Sequence, residues 1–313
     1  MQEHTFRHRV ATGAFTLPLT VVIAAGVWAV SKFEEVILWA GFCMALVVTY
    51  MLMELNNRNQ LLRIRSRMVS STFLLTLAAC PFLHCFSTAY LTAIALVGVY
   101  FLLFAASQDG RASGLVFYAF MLLAVAAIIL PPLICLAPLL VFSLLVQLRS
   151  LSWRTFFAAV FGAMLPLVYF IAWSLWNNDF PDMLFPLFDW QPVVPTLETF
   201  NPDQMLNAGW LLFLTLLSLL HYYRTNFNDK IRVRMYFYII IEVEIALWAG
   251  LVFFPQHFDM LFLLLLVNTA PLIAHYFALA RGRWPMTVWF VFNLFLLVAL
   301  GFYNYGVIPQ IPR

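Results

Sequence analysis

Long apolar runs separated by short polar gaps occupy almost the whole chain. A transmembrane helix needs about 20 predominantly apolar residues, and eleven runs approach or reach that length. The predicted spans are 10–31, 36–55, 68–86, 89–106, 114–130, 133–148, 156–176, 208–223, 235–254, 258–280 and 285–303. We therefore predict an all-α fold, a polytopic helical membrane bundle of about 11 transmembrane helices. The gaps are too short for a soluble domain, so residues 1–313 are expected to form a single transmembrane domain.

The basic residues lie in alternate gaps between these runs. All but two of the 17 Lys and Arg residues follow this alternation, and the exceptions are Lys32 and Arg313. The positive-inside rule places the basic gaps in the cytoplasm. The N-terminus is then cytoplasmic and the C-terminus is outside. A wrong number of spans would break the alternation, so the charge pattern supports the count.

The composition indicates that lipid is the main solvent of this chain. Hydrophobic residues make up 64% and charged residues 10%, against roughly 45–50% and about 25% in soluble proteins. The net charge of +3 comes from residues in the predicted cytoplasmic gaps, where anionic lipid headgroups lie. This placement predicts contact with anionic lipids and not with nucleic acid. The four Cys and six His residues show no metal-ligand spacing, so neither a metal nor a cofactor is predicted.

Two gaps allow alternative local structures. Pro131 and Pro132 separate two spans, either as a tight hairpin or as part of a broken re-entrant segment. The gap from Asn56 to Arg67 contains four arginines around three aliphatic residues. It is expected either to lie on the anionic inner surface as a short amphipathic helix or to serve only as a topology anchor.

The longest gap, 177–208, is predicted to face the outside of the cell. It carries acidic and aromatic residues and no Lys or Arg. The residues selected as contact candidates are Asp179, Asp182, Asp189 and Trp190. Such a loop is expected to cover the outer mouth of the bundle and to contact a cationic substrate or a basic face of a protein partner. Its aromatic residues also fit a simple anchor in the membrane interface.

Two glutamates lie inside a predicted span. An acidic or basic residue at a helix centre costs roughly 2.5–3.5 kcal/mol on insertion scales, which makes Glu242 and Glu244 functional candidates. Two positions correspond to about 200° of helical rotation, so their carboxyl groups do not form one acid/base pair. Asn268 on the next span is the expected partner of Glu244, and His275 lies nearer the cytoplasm. These four residues allow two interpretations. They form either a path along which protons or a polar substrate move, or a hydrogen-bonded packing cluster.

The short gap that contains Glu34 and Glu35 supports a different function. An outward-facing glycosyltransferase with a lipid-linked sugar donor would carry acidic residues in this position. The phosphate groups of its donor would also need cationic partners. The predicted outer face offers few of them, chiefly Lys32 and Arg313, and this scarcity counts against the glycosyltransferase.

One stretch resembles a known family. The sequence Glu54-Leu55-Asn56-Asn57-Arg58-Asn59-Gln60-Leu61, and a proline-broken helix pair before Trp153-Arg154, are similar to an uncharacterised multi-pass inner-membrane family of Bacteroidota. The likeness extends to about Leu175. It implies the inner membrane of a Gram-negative envelope, with the acidic loop in the periplasm. It implies no catalytic residues.

We therefore predict a multi-pass protein of the bacterial inner membrane that acts in envelope transport or assembly. It is expected to move or dock a polar or lipid-linked substrate and to have no catalytic activity. The alternatives are the outward-facing glycosyltransferase and a membrane subunit of a larger complex. The predicted partners are the lipid bilayer, anionic lipids at the cytoplasmic face and a protein at the outer loop.

Overall fold

The structure is a computed structural model that describes residues 10–32, 36–177, 201–280 and 284–306. All regular secondary structure in these ranges is helical. Eleven α-helices of eleven or more residues follow one another in the described ranges: α1 (Thr16–Lys32), α2 (Val36–Asn59), α3 (Met68–Ala78), α4 (Thr88–Ala105), α5 (Ser113–Ile129), α6 (Leu136–Val146), α7 (Trp153–Trp176), α8 (Pro202–Thr225), α9 (Ile231–Phe253), α10 (Phe258–Leu279) and α11 (Trp284–Asn304).

Each of these helices falls on one of the predicted spans, so the apolar runs located the helices correctly. Within the described part of the chain, seven are long and apolar enough to cross a membrane: α2, α4, α7, α8, α9, α10 and α11. The other four are apolar but shorter. The all-helical, membrane-type fold is therefore confirmed, whereas the number of crossings and the orientation remain predictions.

The chain falls into two compact units. The first comprises Met1–Tyr90, Thr196–Val233 and Leu265–Arg313. The second comprises Leu91–Pro195 and Arg234–Leu264. Three helices, α4, α9 and α10, therefore contribute residues to both units.

In the first unit, the short helix α3 packs against α1 and α2. Its side chains are mostly buried, so protein surrounds a helix that is too short to cross a bilayer unaided. Gly41 of α2 lies against the segment after α3, where an added Cβ would be 2.0 Å from the carbonyl oxygen of His84. This contact needs a glycine because any side chain would displace the backbone.

In the second unit, α5 packs along α7. Gly162 allows the close approach, since a Cβ there would lie 2.3 Å from the carbonyl oxygen of Phe117. Pro131–Cys135 forms a 3₁₀ turn before α6. The segments that flank the α5–α6 pair meet, because the backbone N–H of Gln108 donates to the carbonyl of Leu148 (2.9 Å). The two prolines therefore lie at the turn of a helix pair, and the choice between a hairpin of two crossings and a re-entrant segment stays a prediction.

Candidate functional site

Two segments between helices of the first unit enclose a polar cavity of about 770 Å³. One segment, 60–67, joins α2 to α3, and the other, 226–230, joins α8 to α9. We call this space the basic cavity. Its lining is rich in amide and charged side chains: Asn56, Asn57, Gln60, Arg63, Arg65, Asn228, Asp229 and Lys230.

Asn56 holds the first wall of the basic cavity in place. Its side-chain Nδ2 donates to the carbonyl of Ser66 (2.8 Å), and its Oδ1 accepts from the backbone N–H of Leu62 (3.3 Å). Leu61 and Leu62 are buried as a result. Residues 60–67 form no helix. Of the two alternatives for this segment, the amphipathic helix is therefore wrong, because these leucines pack inside the protein and are not available to the bilayer surface.

An ion pair joins the two walls of the cavity. The Nε of Arg63 donates to Oδ1 of Asp229, and its Nη2 donates to the carbonyl of Thr225 (3.0 Å). The Asp229 side chain is fully buried, whereas that of Arg63 is 34% exposed. A second link runs from Nζ of Lys230 to Oε1 of Gln60 (2.9 Å).

His275 of α10 is the second partner of the buried carboxylate. Its Nε2 lies 3.2 Å from Oδ2 of Asp229, and its ring is packed against those of His221 and Tyr222, with centroids 5.8 Å and 5.4 Å away. Burial raises the pKa of Asp229, but hydrogen bonds and charges from His275 and Arg63 outweigh it and hold the pKa below its usual range. Asp229 is therefore ionised at neutral pH.

The charges of the basic cavity favour an anion. Three basic side chains, Arg63, Arg65 and Lys230, face one carboxylate, Asp229, which leaves a net formal charge of +2. Arg65 and Lys230 are exposed and so can reach a ligand. Helix α9 begins one residue after Lys230, and the positive end of its dipole adds to the attraction. Such a set of cationic and amide donors suits an oxyanion, such as a phosphate or a carboxylate.

The two candidate glutamates of α9 take separate partners. Glu242 accepts from the hydroxyl of Ser143 and from the amide of Gln147, which lie on and just after α6. Oε1 of Glu244 accepts from the indole N–H of Trp248, one turn further along the same helix (3.0 Å). Both hydrogen-bonding arrangements are compatible with a structural role.

Asn268 and His275 are both buried on α10. Asn268 belongs to the first unit and Glu244 to the second, so their pairing remains a prediction. His275 was grouped with the glutamates in the sequence, yet its carboxylate partner is Asp229. Sequence reasoning did not select Asp229. The available signal was that it is the only acidic residue in the otherwise basic gap 224–234.

The remaining candidates lie outside the described residues. They are Glu34 and Glu35 of the glycosyltransferase hypothesis and the outer-loop residues Asp179, Asp182, Asp189 and Trp190. Their roles remain predictions from the sequence.

A second polar cluster in the first unit serves packing. His84 is fully buried. Its ring stacks on Trp28 with centroids 3.5 Å apart, and its Nδ1 lies 3.2 Å from the hydroxyl of Tyr305. Asn304 donates to the carbonyl of Ala79 (2.7 Å). These contacts tie α1 and α11 to the segment after α3.

No protein-family model, curated protein or solved structure matches this chain. The resemblance of the stretch from Glu54 to Leu61 therefore remains a prediction. Three residues of that stretch, Asn56, Asn57 and Gln60, line the basic cavity.

Proposed function

We propose that this protein is a non-enzymatic component of envelope transport or assembly in the bacterial inner membrane. It binds the phosphate-bearing part of its substrate in the basic cavity. The observation that carries this proposal is the cavity's net positive charge, organised around the buried carboxylate of Asp229. The chain crosses the membrane eleven times with the N-terminus in the cytoplasm, and the cavity opens at the cytoplasmic end.

Hydrogen bonds between the gaps support this topology. In the first unit, the predicted cytoplasmic gap at Arg63 bonds to the predicted cytoplasmic gap at Asp229. In the second unit, the hydroxyl of Ser152 donates to the carbonyl of Gly110 (2.8 Å), again between two predicted cytoplasmic gaps. The predicted outer ends of two spans also meet, as the backbone N–H of Phe86 donates to the carbonyl of Ile37 (3.1 Å). Helices that alternate in direction place every second connection on the same side of the membrane, and these hydrogen bonds join segments predicted to share a side.

The contacts of the basic residues support anion binding, because the acidic residue of the cavity does not compensate all of their charges. Asp229 compensates Arg63, but Lys230 donates to the neutral oxygen of Gln60 and keeps an uncompensated charge. Arg65 lines the same space. Charge-assisted hydrogen bonds to phosphate are roughly twice as strong as neutral ones. The links between the two walls hold the donors in place before binding, which reduces the entropy lost on association.

The position of the cations also separates this proposal from the glycosyltransferase. An outward-facing enzyme would bind the phosphates of its donor at the outer end, whereas Arg63, Arg65 and Lys230 all belong to predicted cytoplasmic gaps. The proposed site therefore handles its ligand from the cytoplasmic side. A role as a membrane subunit of a larger complex is compatible with this site.

Equilibrium binding of glycerol 3-phosphate to the purified full-length protein tests the proposal. We expect saturable binding that weakens at high salt, because exposed charges are screened. The double variant Arg65→Gln/Lys230→Gln should weaken binding at least tenfold. Arg149→Gln/Arg154→Gln removes the same charge from another predicted cytoplasmic gap and should leave binding unchanged. Equal effects of the two double variants would contradict a specific site.

A further inference from the structure

An apolar groove of about 380 Å³ lies in the first unit. Helices α1, α3, α8, α10 and α11 form its walls. We call it the apolar groove, and representative lining residues are Thr20, Ile23, Leu75, Leu214, Phe290 and Leu297. Three of its hydroxyl groups, those of Thr16, Thr20 and Thr76, donate to backbone carbonyls of their own helices or of the residues just before them. The groove therefore presents a hydrocarbon surface.

The groove begins where the wall of the basic cavity ends. Ser66 lines the cavity and Met68 lines the groove. Arg67, between them, donates from Nη1 to the carbonyl of Ala14 (2.9 Å). This bond ties the cavity wall to the chain just before α1, and Thr16, the first residue of α1, lines the groove.

Helix α10 contacts both spaces. His275 contacts the cavity carboxylate of Asp229, and the residues two positions before and after it, Ile273 and Phe277, line the groove. Two positions correspond to about 200° of helical rotation, so α10 presents its polar contact and its apolar contacts on different faces. The two spaces meet at the segment from Ser66 to Met68, where the backbone N–H of Met68 donates to the hydroxyl of Ser66 (3.1 Å).

We propose that the basic cavity and the apolar groove together bind one anionic lipid. Its phosphate headgroup contacts Arg65 and Lys230, and a hydrocarbon chain lies in the groove. This inference rests on the proposed function and names its substrate class. The headgroup contacts give selectivity for negative charge, and burial of the chain gives affinity in proportion to the apolar area removed.

The shape of the groove distinguishes this occupant from ordinary surrounding lipid. Its walls include buried residues such as Thr20 and Leu214, so a chain inside it contacts several helices at once. By contrast, Phe161 and Leu165 of α7 are 60% and 54% exposed and offer only an open face. A chain held at the groove should therefore be retained for longer than a lipid that contacts α7.

Photo-cross-linking in vesicles tests the proposal. The full-length protein is placed in phosphatidylcholine vesicles that contain a trace of diazirine-tagged phosphatidic acid or of phosphatidylcholine with the same tagged chain. We expect the phosphatidic acid probe to label groove-lining segments of α1, α3 and α11 several-fold more than the phosphatidylcholine probe does. Arg65→Gln/Lys230→Gln should reduce labelling by the phosphatidic acid probe to the level of the phosphatidylcholine probe, because the protein then lacks the two cationic side chains that contact the headgroup.

A groove-filling variant tests the chain separately from the headgroup. Leu297→Trp narrows the groove and should reduce the phosphatidic acid label there at least threefold. Leu165→Trp is the matched control, since it makes the same change on the exposed face of α7, and it should leave the label unchanged. Equal sensitivity of the label to both tryptophans would overturn the inference.

The outcomes for the lipid and the soluble phosphate are distinguishable. If glycerol 3-phosphate binds through Arg65 and Lys230 while the two lipid probes label the groove equally, the proposed function holds and the lipid inference is overturned. If neither the binding of glycerol 3-phosphate nor the labelling by phosphatidic acid depends on those two side chains, both proposals fail. Labelling and phosphate binding that both require them support the two together.

Discussion

Arg63 and Asp229 lie 166 positions apart and form an ion pair that joins the segment after α2 to the segment after α8. The carboxylate is fully buried, and the guanidinium is partly exposed at the cavity wall. A buried charge needs hydrogen-bonding partners, and Arg63 and His275 supply them. The pair thus links the two walls of the cavity, and Arg65 and Lys230, the residues proposed to bind the ligand, lie outside it.

Removal of the Asp229 charge should destabilise the first unit. Asp229→Asn leaves Arg63 without its counter-ion, and loss of a partner in a partly buried charged hydrogen bond costs about 1.5–3 kcal/mol. We expect a lower midpoint in thermal unfolding of the purified protein. Asp109→Asn is the control, because Asp109 is exposed and its carboxylate accepts from the nearby backbone N–H of Arg111. A midpoint equal to that of the control would contradict this role.

The stability of the protein should depend on pH through Asp229. Its folded pKa is lowered by His275 and Arg63 against the effect of burial, so folding favours the ionised form. The resulting stabilisation is fully present above the unfolded pKa of about 3.9 and is lost as the pH falls through the lowered folded pKa. The difference in unfolding midpoint between the native protein and Asp229→Asn should shrink as the pH falls from 5 to below 4. A difference that is as large at pH 3 as at pH 5 would contradict this sign.

Two substitutions of Glu242 distinguish a structural role of this residue from proton coupling. Glu242→Gln keeps the size of the side chain and can still bond to Ser143 and Gln147, whereas Glu242→Leu leaves both without this partner. We expect Glu242→Leu to lower the free energy of unfolding by about 1–3 kcal/mol and Glu242→Gln to have a smaller effect. If Glu242→Gln abolishes cellular function while folding is intact, Glu242 carries a proton and is more than a packing residue.

The orientation of the chain is accessible to cysteine labelling. In a background without Cys43, Cys80, Cys85 and Cys135, an impermeant thiol reagent added from outside should modify Asp189→Cys and leave Lys230→Cys unmodified. The physical reason is that segments rich in Lys and Arg stay on the cytoplasmic side of the membrane, where the reagent does not reach them. Modification of both positions in intact cells would rule out the eleven-crossing arrangement.

Most helices were predictable because apolar runs determine where a chain can cross a bilayer. The end of α3, however, could not be predicted from the sequence. The predicted span reaches residue 86, but the α-helix ends at Ala78, and Pro81 begins a 3₁₀ turn. Hydropathy does not register this change, because Phe82 and Leu83 in that turn are as apolar as the helix before it.

The candidate site was only partly predictable. His275 was recognised because a polar residue inside an apolar span is conspicuous. Its partner Asp229 and the pairing with Arg63 depend on which gaps meet in three dimensions, and neither periodicity nor charge counting supplies that information. The amphipathic-helix alternative for the segment with Leu61 and Leu62 failed for the same reason, since the hydrogen bonds of Asn56 turn these leucines inward.

Native mass spectrometry of the purified full-length protein tests the central claim, that the basic cavity binds a phosphate-bearing ligand, most directly. After mild delipidation and addition of phosphatidic acid, the native protein and Arg149→Gln/Arg154→Gln should both retain one phosphatidic acid molecule. Arg65→Gln/Lys230→Gln should retain none under the same conditions. Equal retention by all three proteins, or equal loss from both double variants, would contradict the claim.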